Sequence, residues 1–157
     1  MKTLAKILSV GAIVSGSMFT ATVASADVSY NIGMVSEYYY RGIFQKNGAS
    51  ASAGVDYEEG GFYAGAWTAD VGQGLEIDGY FGYGGEVGDL SYGIGFTGYY
   101  YTDDAFDDTY EEINLSLGYG PISIGYSIGE HDGGTGSDYD FLDISVDLGA
   151  GFYGTYG

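Results

Sequence analysis

The sequence has no cysteine, one proline and one histidine, and only four Lys and Arg stand against 22 Asp and Glu in 157 residues. Each scarcity removes a class of protein. Without cysteine there is no disulfide to staple the fold and no thiol to do chemistry. One histidine and no cysteine cannot make a zinc set. A formal charge of −18 argues against nucleic acid, whose binding needs Lys and Arg to displace counterions. It argues equally against peripheral docking on anionic lipid. Helical spacing is missing throughout. What abounds is glycine, 30 residues, and tyrosine, 18.

The first 26 residues stand apart. Lys2 and Lys6 make a positive start, Ile7 to Phe19 an apolar stretch, and Ala24-Ser25-Ala26 an A-x-A cleavage site. A membrane anchor is the alternative, but Ser9, Gly11, Ser15, Gly16 and Ser17 interrupt the run and no stop-transfer charges follow it. The pattern predicts a cleavable signal peptide over 1–26 and one domain over 27–157. Arg41 and Lys46 are then the only basic residues left, and the formal charge becomes −20.

Leu75 to Tyr101 sets the architecture. Leu75, Ile77, Phe81 and Tyr83 alternate with Glu76, Asp78, Gly82 and Gly84; after a turn at Val87-Gly88-Asp89, Leu90, Tyr92, Ile94 and Phe96 alternate with Ser91, Gly93, Gly95 and Thr97. Period-two alternation sends the two sets to opposite faces of a sheet. Six further strands read the same way: Val28 to Ile43, Ser50 to Glu58, Gly61 to Asp70, Tyr110 to Tyr119, Ile122 to Ile128 and Phe141 to Leu148. In the first of these, Tyr38 and Tyr40 fall on the apolar face with Val28, Tyr30, Ile32 and Met34, while Glu37 and Arg41 fall on the polar one.

The connections separate two architectures. Glu59-Gly60, Val87-Gly88, Gly120-Pro121 and Gly149-Ala150 are tight. Phe44 to Ala49, Val71 to Gly74, Thr102 to Asp108 and Glu130 to Ser137 read as longer, acidic or Gly-rich loops. Short turns at one end and longer loops at the other mark an outer-membrane barrel; a soluble sandwich has no reason to sort its loops. The expected fold is an all-β, antiparallel up-and-down transmembrane β-barrel of at least eight strands. Tyr38 to Tyr40, Tyr57, Tyr63, Tyr99 to Tyr101, Tyr119 and Tyr126 lie near strand ends, where interfacial girdles belong.

Several stretches carry a resemblance. Ser36-Glu37-Tyr38-Tyr39-Tyr40-Arg41-Gly42-Ile43, Gly61 to Trp67, Leu75 to Tyr80, Tyr99 to Tyr101, and Tyr110-Glu111-Glu112-Ile113 through Ser123 resemble the proteobacterial TorF-type porin family. The resemblance covers most of the chain after residue 26 and implies an outer-membrane pore, with Arg41, Trp67, Glu76 and Asp78 as characteristic positions. Members of that family run several strands longer, whereas this chain stops within a ninth strand, Gly151 to Tyr156. Bacterial barrels close with an even strand number. The expectation is a chain cut short of closure, the alternative eight closed strands and a stub.

If the apolar faces meet lipid, Glu37, Asp56, Glu58, Glu76, Asp78, Glu112, Asp143 and Asp147 line the lumen, with Arg41 the only inward cation. Acidic walls favour cations. Arg41 can brace the wall by bridging Glu37, or Glu76 and Asp78; as a constriction charge it would act on solute instead. The loop clusters Asp103, Asp104, Asp107, Asp108 and Asp132, Asp138, Asp140 read as solvated turns rather than metal sites. Gly133 to Asp138 starts like a calcium-binding nonapeptide but occurs once. His131 reads as an exposed loop residue with no catalytic partners, and no cofactor is expected. The functional expectation is passive diffusion of small cationic or neutral solutes; the alternative is a non-conducting barrel whose acidic external loops bind a partner or divalent cations. The expected partners are the lipid bilayer and small solutes or ions, with the oligomeric state open.

Overall fold

The computed structural model describes residues 27–103, 105–106, 109–131 and 136–157. The expected leader, and Asp104, Asp107, Asp108 and Asp132 to Thr135 of the acidic loops, lie outside the described residues. The fold is all-β and antiparallel. Its strands are β1 (Asp27–Val35), β2 (Tyr38–Tyr40), β3 (Ile43–Lys46), β4 (Ser50–Glu59), β5 (Phe62–Gly72), β6 (Gly74–Val87), β7 (Leu90–Tyr101), β8 (Tyr110–Tyr119), β9 (Ile122–His131), β10 (Ser137–Gly149) and β11 (Phe152–Tyr156). Nine of them form one sheet in the order β1-β4-β5-β6-β7-β8-β9-β10-β11, and β2-β3 pair separately. The sheet is a meander, each strand hydrogen-bonded to the next, and it is not closed: β1 and β11 are its edges.

The alternation sorts the faces as the sequence predicts. Ile77, Phe81, Tyr83, Ile94, Ile113, Leu117, Ile124, Ile128 and Leu142 are exposed on the outer face, while Glu76, Asp78, Glu112 and Ser127 are buried on the inner one. This inverts a water-soluble protein, where the carboxylates would be outside.

The turns at one end all take two residues: Gly60-Gly61, Gly88-Asp89, Gly120-Pro121 and Ala150-Gly151. Gly60 and Gly61 have φ of 60° and 91°, and Ala150 and Gly151 of 54° and 84°, positive at both positions as twist-compatible hairpin turns require. Longer connections gather at the opposite end, with two corrections: Phe44 to Lys46, expected in a loop, belong to β3. Val71 to Gly74 is no loop, because β5 and β6 pair as far as Gly72 and Gly74, leaving only Gln73 to turn the chain.

The larger correction concerns the first strand. It does not run to Ile43 but stops at Val35. The chain bends at Ser36-Glu37 and folds back through Arg41-Gly42, whose φ values of 49° and 77° make a second tight hairpin, β2-β3. Tyr38 and Tyr40 therefore leave the apolar face of β1. Tyr38 is only 3% exposed and packs with Trp67, Ala69, Val71 and Ala105 on the inner side of the sheet.

The hairpin shows how far the sheet curls. Its side chains touch Trp67 on β5, Glu76 on β6, Tyr99 on β7, Glu112 on β8, Ser127 on β9 and Phe141 on β10. Neighbouring strands lie ~4.8 Å apart, so six flat strands would spread over ~24 Å, too far for one three-residue strand and its turn to bridge. The sheet must wrap around the hairpin as a trough.

Candidate functional site

The inner face has one dense polar centre, at the loop end, and Arg41 organises it. Its guanidinium grips Glu112 with two parallel bonds, Nη1 to Oε1 at 2.5 Å and Nη2 to Oε2 at 3.0 Å, and donates a third to Ser127 Oγ at 2.9 Å. It lies over the rings of Tyr40 and Phe141, 4.7 and 4.6 Å from their centres. Glu112 accepts two more bonds, from the hydroxyls of Tyr99 and Tyr139, both at 3.0 Å. A fully buried carboxylate is costly unless paired and hydrogen-bonded; Glu112, 1% exposed, is both. The network runs on through Ser127 to Asn114 and from Asn114 to Thr97.

Arg41 braces the wall, but not through the partners expected of it. Glu37, Glu76 and Asp78 are all bypassed for Glu112, which lies 71 residues away. Glu37 is exposed outside the cluster, where Tyr39 donates to it across 3.5 Å, so it does not face the interior with the other carboxylates. Glu76 and Asp78 are 2% and 3% exposed. Glu76 accepts from Tyr38 at 2.8 Å and has Tyr101 as a second hydrogen-bonding neighbour. Asp78 sits between Trp67 and Tyr99 in the strand register, and its Oδ1 is buried without a hydrogen-bond partner.

The remaining inward carboxylates lie towards the turn end. Asp56 accepts from Tyr80 and, at 3.3 Å, from Asn31. Glu58 is half-buried beside it on the same strand. Asp143 lies over Gly125, its register partner, where an added Cβ would come within 2.3 Å of its oxygen. Asp147 is exposed and accepts the Gly149 N–H at 2.8 Å, closing the last turn.

Sequence reasoning missed the tyrosines that build the centre. Tyr38, Tyr40, Tyr63, Tyr99 and Tyr101 were expected in an aromatic girdle but turn inward, whereas Tyr39 is exposed on the hairpin and Tyr57, Tyr100, Tyr119 and Tyr126 remain on the outer face or at the strand ends. Arg41-Gly42 between Tyr39-Tyr40 and Ile43-Phe44 was the available clue, a two-residue turn signature read through as strand. His131 is also less exposed than expected, its ring stacking on Tyr110 at 4.5 Å. Among the described residues no group of three His, Asp or Glu is arranged to hold a metal. Asp70 lies near the loop end of β5, one residue before the buried Val71, and pairs with Lys46 at 2.5 Å. Its other oxygen accepts the Gly72 N–H at 2.7 Å.

Residues 20–155 match the Gcw_chp family, described as a bacterial protein of unknown function. The chain belongs to the Gcw_chp family. No curated protein and no solved structure matches it.

Proposed function

We propose that this Gcw_chp protein is an outer-membrane, porin-like β-barrel. It passes small cationic or neutral solutes along its acidic inner face, with the β2-β3 hairpin as the constriction. The observation that carries this reading is the inverted polarity of the sheet. Strand after strand turns Ile, Leu, Phe and Tyr outward while hiding Asp and Glu inside. Contiguous exposed apolar surface beyond a few hundred Å² marks an interaction or membrane surface, and here it runs from β1 to β11. The sorted turns and the sequence resemblance to TorF-type porins support the same reading.

Spanning a bilayer leaves no strand edge unpaired, so β1 and β11 must be satisfied. In a meander of nine strands these two run in the same direction. Antiparallel closure is open to β1 with β10, displacing β11, or to an odd number of strands added between the edges.

The hairpin also favours a second reading. It occupies the trough through contacts with six strands, and a barrel filled by its own side chains conducts nothing. Planar-bilayer recording of the refolded chain under a salt gradient tests both readings. A heat-shifted gel band first establishes that it has folded. Discrete steps with a cation-selective reversal potential are expected, weakened by Glu76→Lys with Asp78→Lys. A folded barrel that stays silent overturns the pore and leaves the plugged barrel.

A further inference from the structure

Three carboxylates are buried at the loop end, and they are compensated very differently. Glu112 has the Arg41 guanidinium and two tyrosine hydroxyls. Glu76 has Tyr38 and Tyr101. Asp78 keeps one buried oxygen with no donor at all, although it is as deeply buried as the other two. Buried polar atoms without partners are rare, and a lone buried carboxylate oxygen calls for a counter-charge or a donor. Its surroundings are rich in oxygen and π-electrons. The Tyr38, Tyr40, Tyr80 and Tyr101 phenols are near enough to feel the charge of Asp78, and Trp67 is its register neighbour.

We propose that Asp78 is the anchoring ligand of a binding site for a small inorganic monovalent cation, sodium or potassium, walled by tyrosines at the constriction. Arg41 is fully engaged by Glu112, Ser127 and two rings, so it does not serve as the counter-charge. A divalent ion would need several carboxylates at coordinating distance, and no such group is present among the described residues. One carboxylate with neutral phenol oxygens suits a single charge, and aromatic faces add a modest attraction for cations. The inference deepens the pore reading and rests on it for the route by which the ion arrives.

The test is thermal unfolding of the full chain refolded in detergent, in choline, sodium and potassium chloride at matched ionic strength. A ligand that binds only the folded state raises its unfolding midpoint. Sodium or potassium should raise the midpoint by about 4 °C over choline, the shift for a site filled at roughly ten times its dissociation constant. Asp78→Asn should abolish that difference and, with no buried charge left to compensate, melt higher than wild type in choline. Asp143→Asn should keep the shift. Identical wild-type midpoints in all three salts, or a shift that survives Asp78→Asn, would each overturn the site. If Asp78→Asn does not refold, sodium-23 line broadening on the wild type, reversed by potassium, decides in its place; absence of broadening overturns the proposal. Unfolding in detergent needs no conduction, so a silent channel would fail the pore reading and leave this result standing.

Discussion

The two ends of the trough are built on opposite principles. At the loop end the inner face is crowded, with Tyr38, Trp67, Glu76, Asp78, Tyr99 and Glu112 all buried, held by charge-assisted hydrogen bonds to a hairpin that comes from outside the sheet. Towards the turn end it is floored by Gly82, Gly84, Gly93, Gly95 and Gly125, and the larger side chains there lie flat across glycines of the next strand. Tyr63 faces Gly82 in the register, and Tyr80 faces Gly65. A Cβ on Gly82 would come within 2.3 Å of the Tyr63 hydroxyl and 2.5 Å of the Ile94 carbonyl. One end is specified by pairing of polar groups, the other by the absence of side chains. The first is sensitive to losing atoms and the second to gaining them.

The largest effect should come from breaking the clamp. Glu112→Ala leaves the Arg41 guanidinium buried without its partner and should cost about 3–5 kcal/mol of stability, read by chemical unfolding in detergent. Trp67 is the only tryptophan and packs against Tyr38, so its fluorescence should become accessible to iodide if the hairpin comes away. Unchanged quenching would show that the apolar contacts of Tyr38 hold the hairpin alone.

Arg41→Asn separates turn from clamp. Asn suits the left-handed position that Arg41 occupies at φ 49°, a gain of about 1 kcal/mol. That gain is smaller than the clamp loss, so the variant should still be destabilised. A net stabilisation would mean that the guanidinium contributes little.

At the other end, Gly82→Ala should cost about 1–3 kcal/mol by overpacking. Gly79→Ala on the outer face, where an added Cβ meets nothing within 4 Å, should be close to neutral. Equal effects at the two positions would remove the contrast between crowded and open faces.

The smallest effect is expected at Asp70. It pairs with Lys46 at 2.5 Å with much of its side chain in solvent, and exposed ion pairs contribute little to stability. Asp70→Asn should leave the unfolding midpoint nearly unchanged in the same chemical unfolding, and a clear loss would show that this pair, unlike an ordinary exposed one, is needed at the loop end.

Much of this was legible in the chain. Leu75 to Tyr101 declares its two faces through strict alternation, and glycine marks the hairpin turns, expected at Glu59-Gly60 and Val87-Gly88 and found one residue later at Gly60-Gly61 and Gly88-Asp89. The sequence by itself determined the antiparallel meander, the outward apolar face and the inward placement of Asp56, Glu76, Asp78 and Glu112. These properties follow from the pleat, which acts between neighbouring residues and neighbouring strands.

The same alternation misled at Tyr38 and Tyr40. Period two cannot reveal that the chain leaves the sheet at Ser36-Glu37 and returns through it as a hairpin. The fate of Arg41 was also beyond it, because Glu112 lies 71 residues further on and six strands must curl before the two meet. Tertiary structure alone decided that the hairpin folds inward, that Arg41 takes Glu112, and that Asp78 is left with a bare oxygen. The reason is physical: which charges share a buried space depends on the curvature of the whole sheet, and no local pattern encodes it.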